Sequence, residues 1–244
     1  MNITDAGFQI GRIELTEDEV QLWRVDLEAI RLQESRWQEL LSSDERSRAA
    51  RFHFEADRQR FVASRAWLRG ILAAFLVAEP SELNFSYSKY EKPFLGPPYA
   101  ESGVTFNVSH SGGIALYAFA RRRELGVDVE QIRRDFDAES IARRFFSVSE
   151  QERLAAFPES EKVDAFFRCW TRKEAYIKAI GDGLSLPLGQ FDVSLEALET
   201  NALLATRPDS SEAKQWMIRE VPGGAGYSAA LCVRGRDWRL IHWR

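Results

Sequence analysis

The stretch Gly126-Val127-Asp128-Val129-Glu130 is the point from which the organisation of this chain can be worked out. Its alternating valines predict a β-strand, in which successive side chains point to opposite faces. Asp128 and Glu130 then share one face, about 6.6 Å apart along the strand, while the valines face a core. Neighbouring carboxylates repel each other, so a divalent cation that prefers oxygen ligands would stabilise them. The alternative is a solvated edge strand whose polar face happens to read Asp-x-Glu.

Composition and charge narrow the classes of protein to consider. The chain has 244 residues, of which 45% are hydrophobic and 29% charged, and its formal net charge is −4. These values are ordinary for a globular protein of one large domain or two smaller ones, and the acidic balance argues against a general nucleic-acid binder. The lack of an apolar run of about 18 residues and of a signal peptide predicts a soluble, cytoplasmic protein. Cys169 and Cys232 lack metal-binding spacing and predict buried, reduced thiols.

A basic stretch interrupts this acidic chain between residues 46 and 69, where seven arginines face only two acidic residues. Guanidinium groups grip phosphate oxygens with paired donors, which favours a phosphate-rich ligand; a solvated helix face is the alternative. Residues 42–45 predict the cap of one helix, and residues 61–76 carry apolar side chains at the spacing of a second, buried helix.

Two further segments carry polar groups suited to a binding site. The segment FNVSHSGG at residues 106–113 predicts a strand that leads into a tight turn, where Ser109 and His110 supply hydrogen-bonding groups. The segment WTRKEAYIK at residues 170–178 predicts a helix, in which Glu174 and Lys178 share a face. The alternatives are a solvated histidine and a routine helix pair worth about 0.2–0.5 kcal/mol. Further strands are predicted near residues 114–120, 191–195, 215–221, 227–233 and 234–244.

Weak internal similarity indicates that the chain consists of two related halves. Residues 65–69 resemble residues 174–178, and residues 112–117 resemble residues 223–227. The similarity predicts two α+β halves in tandem, the second with an insertion before its long helix. A ligand cleft between the halves is then expected, since small-molecule sites often lie at such boundaries.

Six motifs support a family assignment because they occur together and in order. They are RSRAARFHFEADRQR (46–60), KP (92–93), FNVSHS (106–111), GVDVE (126–130), RFFSVSE (144–150) and WTRKEAYIKAIGDGLSLPL (170–188). Together they resemble the phosphopantetheinyl transferases, specifically the long, two-lobed, surfactin-synthetase-activating type. One departure is Glu91, which stands before Lys92 where the family usually has glycine.

The resemblance implies an α+β pseudo-dimer of two similar α/β lobes, residues 1–123 and 124–244, with the active site in the cleft and the metal site in the second lobe. It also implies transfer of the 4′-phosphopantetheine arm of coenzyme A to a serine of an apo carrier protein, with release of adenosine 3′,5′-bisphosphate. The carrier would serve polyketide, nonribosomal peptide or fatty acid synthesis. A monomer is expected, because tandem lobes remove the need to dimerise.

The resemblance also implies roles for individual residues. Asp128, Glu130 and Glu174 would bind Mg²⁺, with Mn²⁺ as a second option, and Glu174 would accept the proton of the serine. Lys178 would favour departure of the leaving group. The residues expected to hold coenzyme A are Arg48, Arg51, Lys92, Ser109, His110 and Lys178. Two alternatives are a magnesium-dependent nucleotide phosphohydrolase and a non-catalytic carrier-binding relative.

Overall fold

A computed structural model of the protein describes residues 11–28, 34–181 and 186–243. Eleven strands occur within these ranges: β1 (Glu19–Asp26), β2 (Phe85–Tyr87), β3 (Pro93–Leu95), β4 (Val104–Ser111), β5 (Ile114–Arg121), β6 (Leu125–Gln131), β7 (Phe191–Val193), β8 (Leu203–Thr206), β9 (Trp216–Glu220), β10 (Tyr227–Arg234) and β11 (Arg239–Trp243). Six α-helices lie among them: α1 (Glu34–Leu40), α2 (Ser43–Ala49), α3 (Glu55–Leu76), α4 (Ala138–Phe145), α5 (Val148–Ala155) and α6 (Glu159–Ile180). None of these helices is both long and apolar enough to cross a membrane.

The two larger sheets have the same internal order, while β2-β3 and β7-β8 form two small sheets of their own. One sheet runs β11-β1-β5-β4, and the other runs β6-β10-β9. In both sheets the first strand of the lobe pairs antiparallel with the last strand of a hairpin, so β1-β5-β4 matches β6-β10-β9. A helix of 22 residues precedes each hairpin, α3 in the first lobe and α6 in the second. The predicted α+β pseudo-dimer is therefore confirmed, and the two lobes are topological repeats.

Matched buried ion pairs show which residues of the two lobes are equivalent. Ser42 and Ser147 cap α2 and α5 in capping boxes whose third residues are Glu45 and Glu150. Each glutamate is buried and forms an ion pair with a cationic side chain of the long helix of its own lobe. The N···O distance is 2.5 Å for Arg69 and Glu45, and 2.8 Å for Lys173 and Glu150. Arg69 and Lys173 lie equally far from the first residues of their helices.

The sequence comparison of the halves was wrong in two respects. It aligned Arg69 with Lys178, whereas in the structure the residue equivalent to Arg69 is Lys173. It also placed an insertion before the second long helix, whereas both lobes have a short connection there, from Ala49 to Glu55 and from Ala155 to Glu159. Short local matches cannot establish register, because equivalence is carried by long-range contacts such as these ion pairs.

The last strand does not stay with the second lobe. β11 runs parallel to β1, with Glu19 opposite Arg239 and Trp23 opposite Trp243. The indole rings of Trp23 and Trp243 stack with centroids 4.7 Å apart. The tail was predicted as a strand, which is confirmed, and this strand adds to the sheet that contains β1.

Close packing of α6 on β6 depends on the glycine that opens the GVDVE motif. A Cβ atom at Gly126 would lie 2.2 Å from the carbonyl oxygen of Ala175 and 2.4 Å from the nitrogen of Ala179. Both are backbone atoms of α6, so the helix approaches the strand at a distance that only glycine permits. Val127 and Val129 are buried in the core, as predicted. Asp128 is buried as well, so β6 is not a solvated edge strand.

The loop before Lys92 holds Glu91, where the resemblance leads one to expect glycine. Glu91 has φ 62°, in the left-handed region that disfavours residues with a Cβ. Its side chain is exposed. We expect Glu91→Gly to raise the free energy of unfolding by about 0.5–1 kcal/mol, because relieved strain exceeds the entropy that glycine adds to the unfolded chain. Urea denaturation measures the change.

A matched control is Glu79→Gly, at an exposed position where φ is −77°. Glycine gains nothing from such a backbone, so this variant should lose stability. Equal losses in the two variants would show that the backbone at Glu91 is not strained.

Candidate functional site

Side chains of β4 replace the backbone hydrogen bonds that would otherwise join β4 to β6. Three alternate residues of β4 accept N–H groups from three alternate residues of β6: Asn107 Oδ1 from Val127 at 2.8 Å, Ser109 Oγ from Val129 at 3.3 Å and Ser111 Oγ from Gln131 at 3.1 Å. Because one strand belongs to each lobe, this polar ladder joins the lobes at the centre of the molecule.

The same two hydroxyl groups orient the carboxylates of the motif. Ser109 Oγ donates to Asp128 Oδ1 at 2.8 Å, and Ser111 Oγ donates to Glu130 Oε2 at 2.7 Å. A hydroxyl group can donate one hydrogen bond while accepting others, which lets each serine hold a backbone N–H and a carboxylate together. The side chains of Asp128 and Glu130 therefore have defined positions before any ligand binds.

Lys178 of α6 completes the cluster from the opposite side. Its Nζ lies 2.6 Å from Asp128 Oδ1 and 3.0 Å from Ser109 Oγ. Glu174 lies one turn earlier on α6, where burial and the charges of Asp128 and Glu130 raise the pKa of its carboxyl group. The strand and the helix thus abut, and the residues predicted from the two motifs share one site.

Burial and like charge act together on the glutamates. Desolvation raises the pKa of Glu174, and the neighbouring Asp128 and Glu130 raise it further, while Lys178 opposes them. Desolvation likewise raises the pKa of Glu130, with Asp128 adding to the effect and Ser111 opposing it. A carboxylate with a raised pKa is a stronger base than a solvated one. A cation at this position would relieve the repulsion among the three groups.

The chemistry of these residues fits a hard divalent cation. Asp128 Oδ2 is buried and has no hydrogen-bond partner among the described residues. Such an oxygen atom pays a desolvation cost that a metal ion would offset. Within residues 11–28, 34–181 and 186–243, however, no three His, Cys, Asp or Glu side chains form a cluster already placed to hold a metal. The carboxylate oxygens of these residues are the kind of ligand that Mg²⁺ prefers, whereas in this structure Asp128 forms an ion pair with Lys178.

The predicted nucleotide-binding residues fall into separate groups. His110 is exposed on β4, and partial desolvation and the positive charge of Lys178 lower the pKa of its imidazole. Its side chain alternates with those of Ser109 and Ser111, which hold the carboxylates. The hydroxyl group of Ser109 donates to Asp128 and accepts hydrogen bonds from the N–H of Val129 and the ammonium group of Lys178. The ammonium group of Lys92 points instead at backbone carbonyl oxygens.

Most of the arginine excess in residues 46–69 is used within the protein. Four of the seven arginines form ion pairs: Arg58 with Glu55, Arg60 with Glu28, and both Arg65 and Arg69 with Glu45. Arg48 and Arg51 are exposed and form no ion pair with a carboxylate in the described part of the chain. The Arg48 guanidinium lies 5.3 Å from the ring centroid of Phe61. The hydrogen bonds described connect neither residue to β6 or α6.

Sequence reasoning missed Asn107 and Ser111 as members of the site. Their signal was present in the alternation of polar side chains at positions 107, 109 and 111 of one strand, which places all three on one face. The two glycines after the strand predicted a turn, and the hydrogen-bonding groups were therefore expected to act there. The partner of that polar face was the backbone of β6, which no local pattern identifies.

Comparisons with known proteins agree on one family. Residues 124–232 match the model of the 4′-phosphopantetheinyl transferase superfamily, and residues 29–121 match that of an N-terminal 4′-phosphopantetheinyl transferase domain. The chain is 42% identical over 234 residues to the 4′-phosphopantetheinyl transferase HetI of Nostoc sp., covering 95% of this chain and 94% of that protein. It is 31% identical over 203 residues to the 4′-phosphopantetheinyl transferase Sfp of Bacillus subtilis, covering 83% and 86%.

A comparison with solved structures finds more distant similarity. The holo-[acyl-carrier-protein] synthase of Thermotoga maritima is 22% identical, with a TM-score of 0.36. The similarity covers 46% of this chain and 62% of that protein.

Proposed function

The chain belongs to the 4′-phosphopantetheinyl transferase superfamily, and from this premise we propose how its residues carry out the transfer. The reaction moves the 4′-phosphopantetheine arm of coenzyme A onto a serine hydroxyl of a carrier protein. A new bond forms between the serine oxygen and phosphorus, the pyrophosphate bond breaks, and adenosine 3′,5′-bisphosphate leaves. The observation that carries the residue assignment is the contact of Lys178 with Asp128 across the junction of α6 and β6.

Charge is the main obstacle to this reaction. A phosphodiester repels nucleophiles, and a serine hydroxyl is a weak nucleophile at neutral pH. We assign Asp128, Glu130 and Glu174 as the residues that would hold Mg²⁺, with Mn²⁺ as a substitute. When bound, the ion would supply charge neutralisation at the pyrophosphate. The buried, unpartnered Asp128 Oδ2 supports this assignment.

The remaining chemistry falls to side chains of α6. We assign Glu174 as the group that accepts the serine proton, because its raised pKa makes it a stronger base than a solvated carboxylate. Lys178 stabilises negative charge on the departing phosphate. Its ammonium group is held beside Asp128 and Ser109, so it is oriented before the substrate arrives.

Binding of coenzyme A is assigned to two regions. One is His110, which follows Ser109 on β4 and feels the charge of Lys178. The other is Arg48 and Arg51, which have no carboxylate partners among the described residues; Arg46 has none either, but it donates to backbone carbonyl groups of Gln38 and Leu41. Guanidinium groups suit the 3′-phosphate, which distinguishes coenzyme A from its dephospho form. Ser109 acts through Asp128, and Lys92 is left out of this group because its donors are already engaged.

We extend the proposal to the setting of the enzyme. The carriers are those of polyketide, nonribosomal peptide or fatty acid synthesis, and the enzyme acts in the cytoplasm. A monomer suffices, since two lobes of one chain form both sides of the junction between β4 and β6.

A transfer assay tests the function directly. The purified protein is incubated with coenzyme A, Mg²⁺ and a panel of apo carriers from fatty acid, polyketide and peptide synthesis, and intact masses are measured. We expect a mass gain of one phosphopantetheine unit on at least one carrier. Release of free phosphopantetheine without carrier modification would instead indicate a phosphohydrolase. Carrier binding without either product would indicate a non-catalytic relative.

The arginine assignment leads to a separate prediction. We expect 3′-dephospho-coenzyme A to be a poorer substrate than coenzyme A, and the penalty to shrink by about tenfold in the double variant Arg48→Ala/Arg51→Ala, because charge-assisted hydrogen bonds to phosphate are lost. The ratio of kcat/KM for the two substrates is the measurement. Arg58→Ala is the control, since Arg58 pairs with Glu55. An unchanged ratio in the double variant would contradict the assignment.

A further inference from the structure

Lys92 extends from the first lobe into the second and ends among backbone carbonyl oxygens. Its Nζ donates to Leu125 O of β6 at 3.2 Å, and to Lys178 O at 2.5 Å and Ala179 O at 3.3 Å at the end of α6. An ammonium group has three N–H donors, so these contacts use all of them. The lysine therefore joins the end of the helix to the start of the strand on which it packs.

The end of a helix is a favourable place for this cation. The last carbonyl groups of a helix lack partners within the helix and carry partial negative charge. Gly181 caps the C-terminal end of α6 with φ 84°, and the Cβ position of this glycine lies 3.8 Å from Lys92 Cδ. The turn of the chain at Gly181 thus leaves room for the stem of Lys92 to pass beside the helix.

The other end of the lysine is fixed in the first lobe. Ser88 Oγ accepts the N–H groups of Tyr90 and Lys92, both at 3.2 Å. The backbone N–H of Ser88 donates to Lys92 O at 3.0 Å. The turn between β2 and β3 is therefore closed by its own hydrogen bonds, and Lys92 is attached to it at a defined point.

We propose that Lys92 is a positioning residue, which holds the C-terminal end of α6 against β6 and thereby sets the distance from Glu174 and Lys178 to Asp128. This inference rests on the proposed function, because these three residues form the site assigned there. Lys178 is then held at two points, at its carbonyl group by Lys92 and at its ammonium group by Asp128 and Ser109.

Service as a ligand of the nucleotide would require Lys92 to give up these contacts. Leu125 and Ala179 are buried, so their carbonyl groups would lose a partner that water does not readily replace. The energy of that loss would oppose binding. A role in holding α6 uses the contacts as they stand.

Lys92→Met tests the proposal, since methionine keeps a long apolar stem and removes the donors. We expect kcat for carrier modification to fall about tenfold to 100-fold, because a small displacement of α6 misplaces Glu174 and Lys178. The KM for coenzyme A, and the preference for it over 3′-dephospho-coenzyme A, should change less than about twofold. Lys89→Met, an exposed lysine of the same turn, is the control and should behave as the unmodified protein.

The two roles predict opposite kinetic changes. A raised KM and a lost preference for coenzyme A at unchanged kcat would identify Lys92 as a nucleotide ligand and overturn the proposal. Unchanged kcat, KM and preference would overturn it as well. Lys92→Arg serves if the methionine variant does not fold: it keeps the cation, so we expect partial kcat at unchanged KM, whereas a phosphate-binding role predicts near-complete function.

Hydrogen exchange supplies a measurement that does not depend on activity. In the absence of coenzyme A and carrier, Lys92→Met or Lys92→Arg should speed amide exchange in the last turn of α6, while α3 keeps its rate. Equal exchange in α6 for the variant and the unmodified protein would overturn the proposal. If the unmodified protein modifies no carrier, the proposed function fails, and this measurement still decides the role of Lys92.

Discussion

Replacing Gly126 with alanine is expected to lower carrier modification by about 100-fold or more and to destabilise the protein by about 1–3 kcal/mol. The added Cβ would lie 2.2 Å from Ala175 O and 2.4 Å from Ala179 N, and neither backbone atom can move without the helix. α6 would then shift away from β6. Because Glu174 and Lys178 are on that helix and Asp128 is on the strand, the site would lose its geometry along with its packing.

Thermal denaturation and the transfer assay together measure this effect. The matched control is Gly189→Ala, because a Cβ at Gly189 would meet nothing within 4 Å. That variant should keep its activity and its melting temperature. Activity of Gly126→Ala within about threefold of the unmodified protein would show that the site tolerates a displacement of α6 from β6.

The second large effect is expected for Glu174→Gln, which removes a charge and keeps the shape of the side chain. We expect turnover to fall by about 10²–10⁴-fold, the range that general-base groups supply. The fold should survive, because the raised pKa of Glu174 means that its negative charge opposes folding near neutral pH. Steady-state kinetics on a modified carrier measures the loss, with Glu152→Gln, an exposed carboxylate of the second lobe, as control.

The stability of this variant should depend on pH in a defined direction. Folding raises the pKa of Glu174 above its ordinary value of 4.5, so the folded state favours the protonated form. Its contribution to stability is complete below that ordinary value and is lost as the pH rises through the folded pKa. Without metal, Glu174→Gln should therefore melt close to the unmodified protein at pH 4 and above it at pH 7.5.

Metal addition provides the counterpart of this measurement. Mg²⁺ should raise the melting temperature of the unmodified protein at pH 7.5, since the ion binds the ionised carboxylates of the folded state. The rise should be much smaller in Glu174→Gln. Equal rises in both proteins would separate Glu174 from the metal site, and a lower melting temperature of the metal-free variant at pH 7.5 would show that the charge is stabilising.

The elements of the site could be predicted from the sequence, whereas their contacts could not. The alternation in GVDVE predicted β6, and the helical spacing of WTRKEAYIK predicted α6, because both patterns reflect local geometry. The resemblance to a family then placed Asp128, Glu130 and Glu174 together. Their approach depends on Gly126, whose absent side chain makes room for backbone atoms more than 45 residues along the chain.

Charge composition was the least informative signal. An excess of arginines in residues 46–69 predicted a phosphate-binding site, but Arg69 forms a buried ion pair with Glu45, and Arg65 forms an ion pair with the same glutamate. The partners of these residues lie in a different helix, so the count of charges could not distinguish internal pairing from ligand binding. The same limit applies to Lys92, whose partners are backbone carbonyl groups and leave no trace in the sequence.

The parallel pairing of β11 with β1 has a consequence for biosynthesis. Residue 19 meets residue 239, so the sheet of the first lobe stays incomplete on the ribosome until almost the whole described chain has emerged. Until then β1 keeps an open edge, and Trp23 lacks the ring that stacks on it. Contacts between positions so far apart close slowly. Most of the first lobe is synthesised before the second, but its sheet is complete only when β11, which follows the strands of the second lobe, has been synthesised.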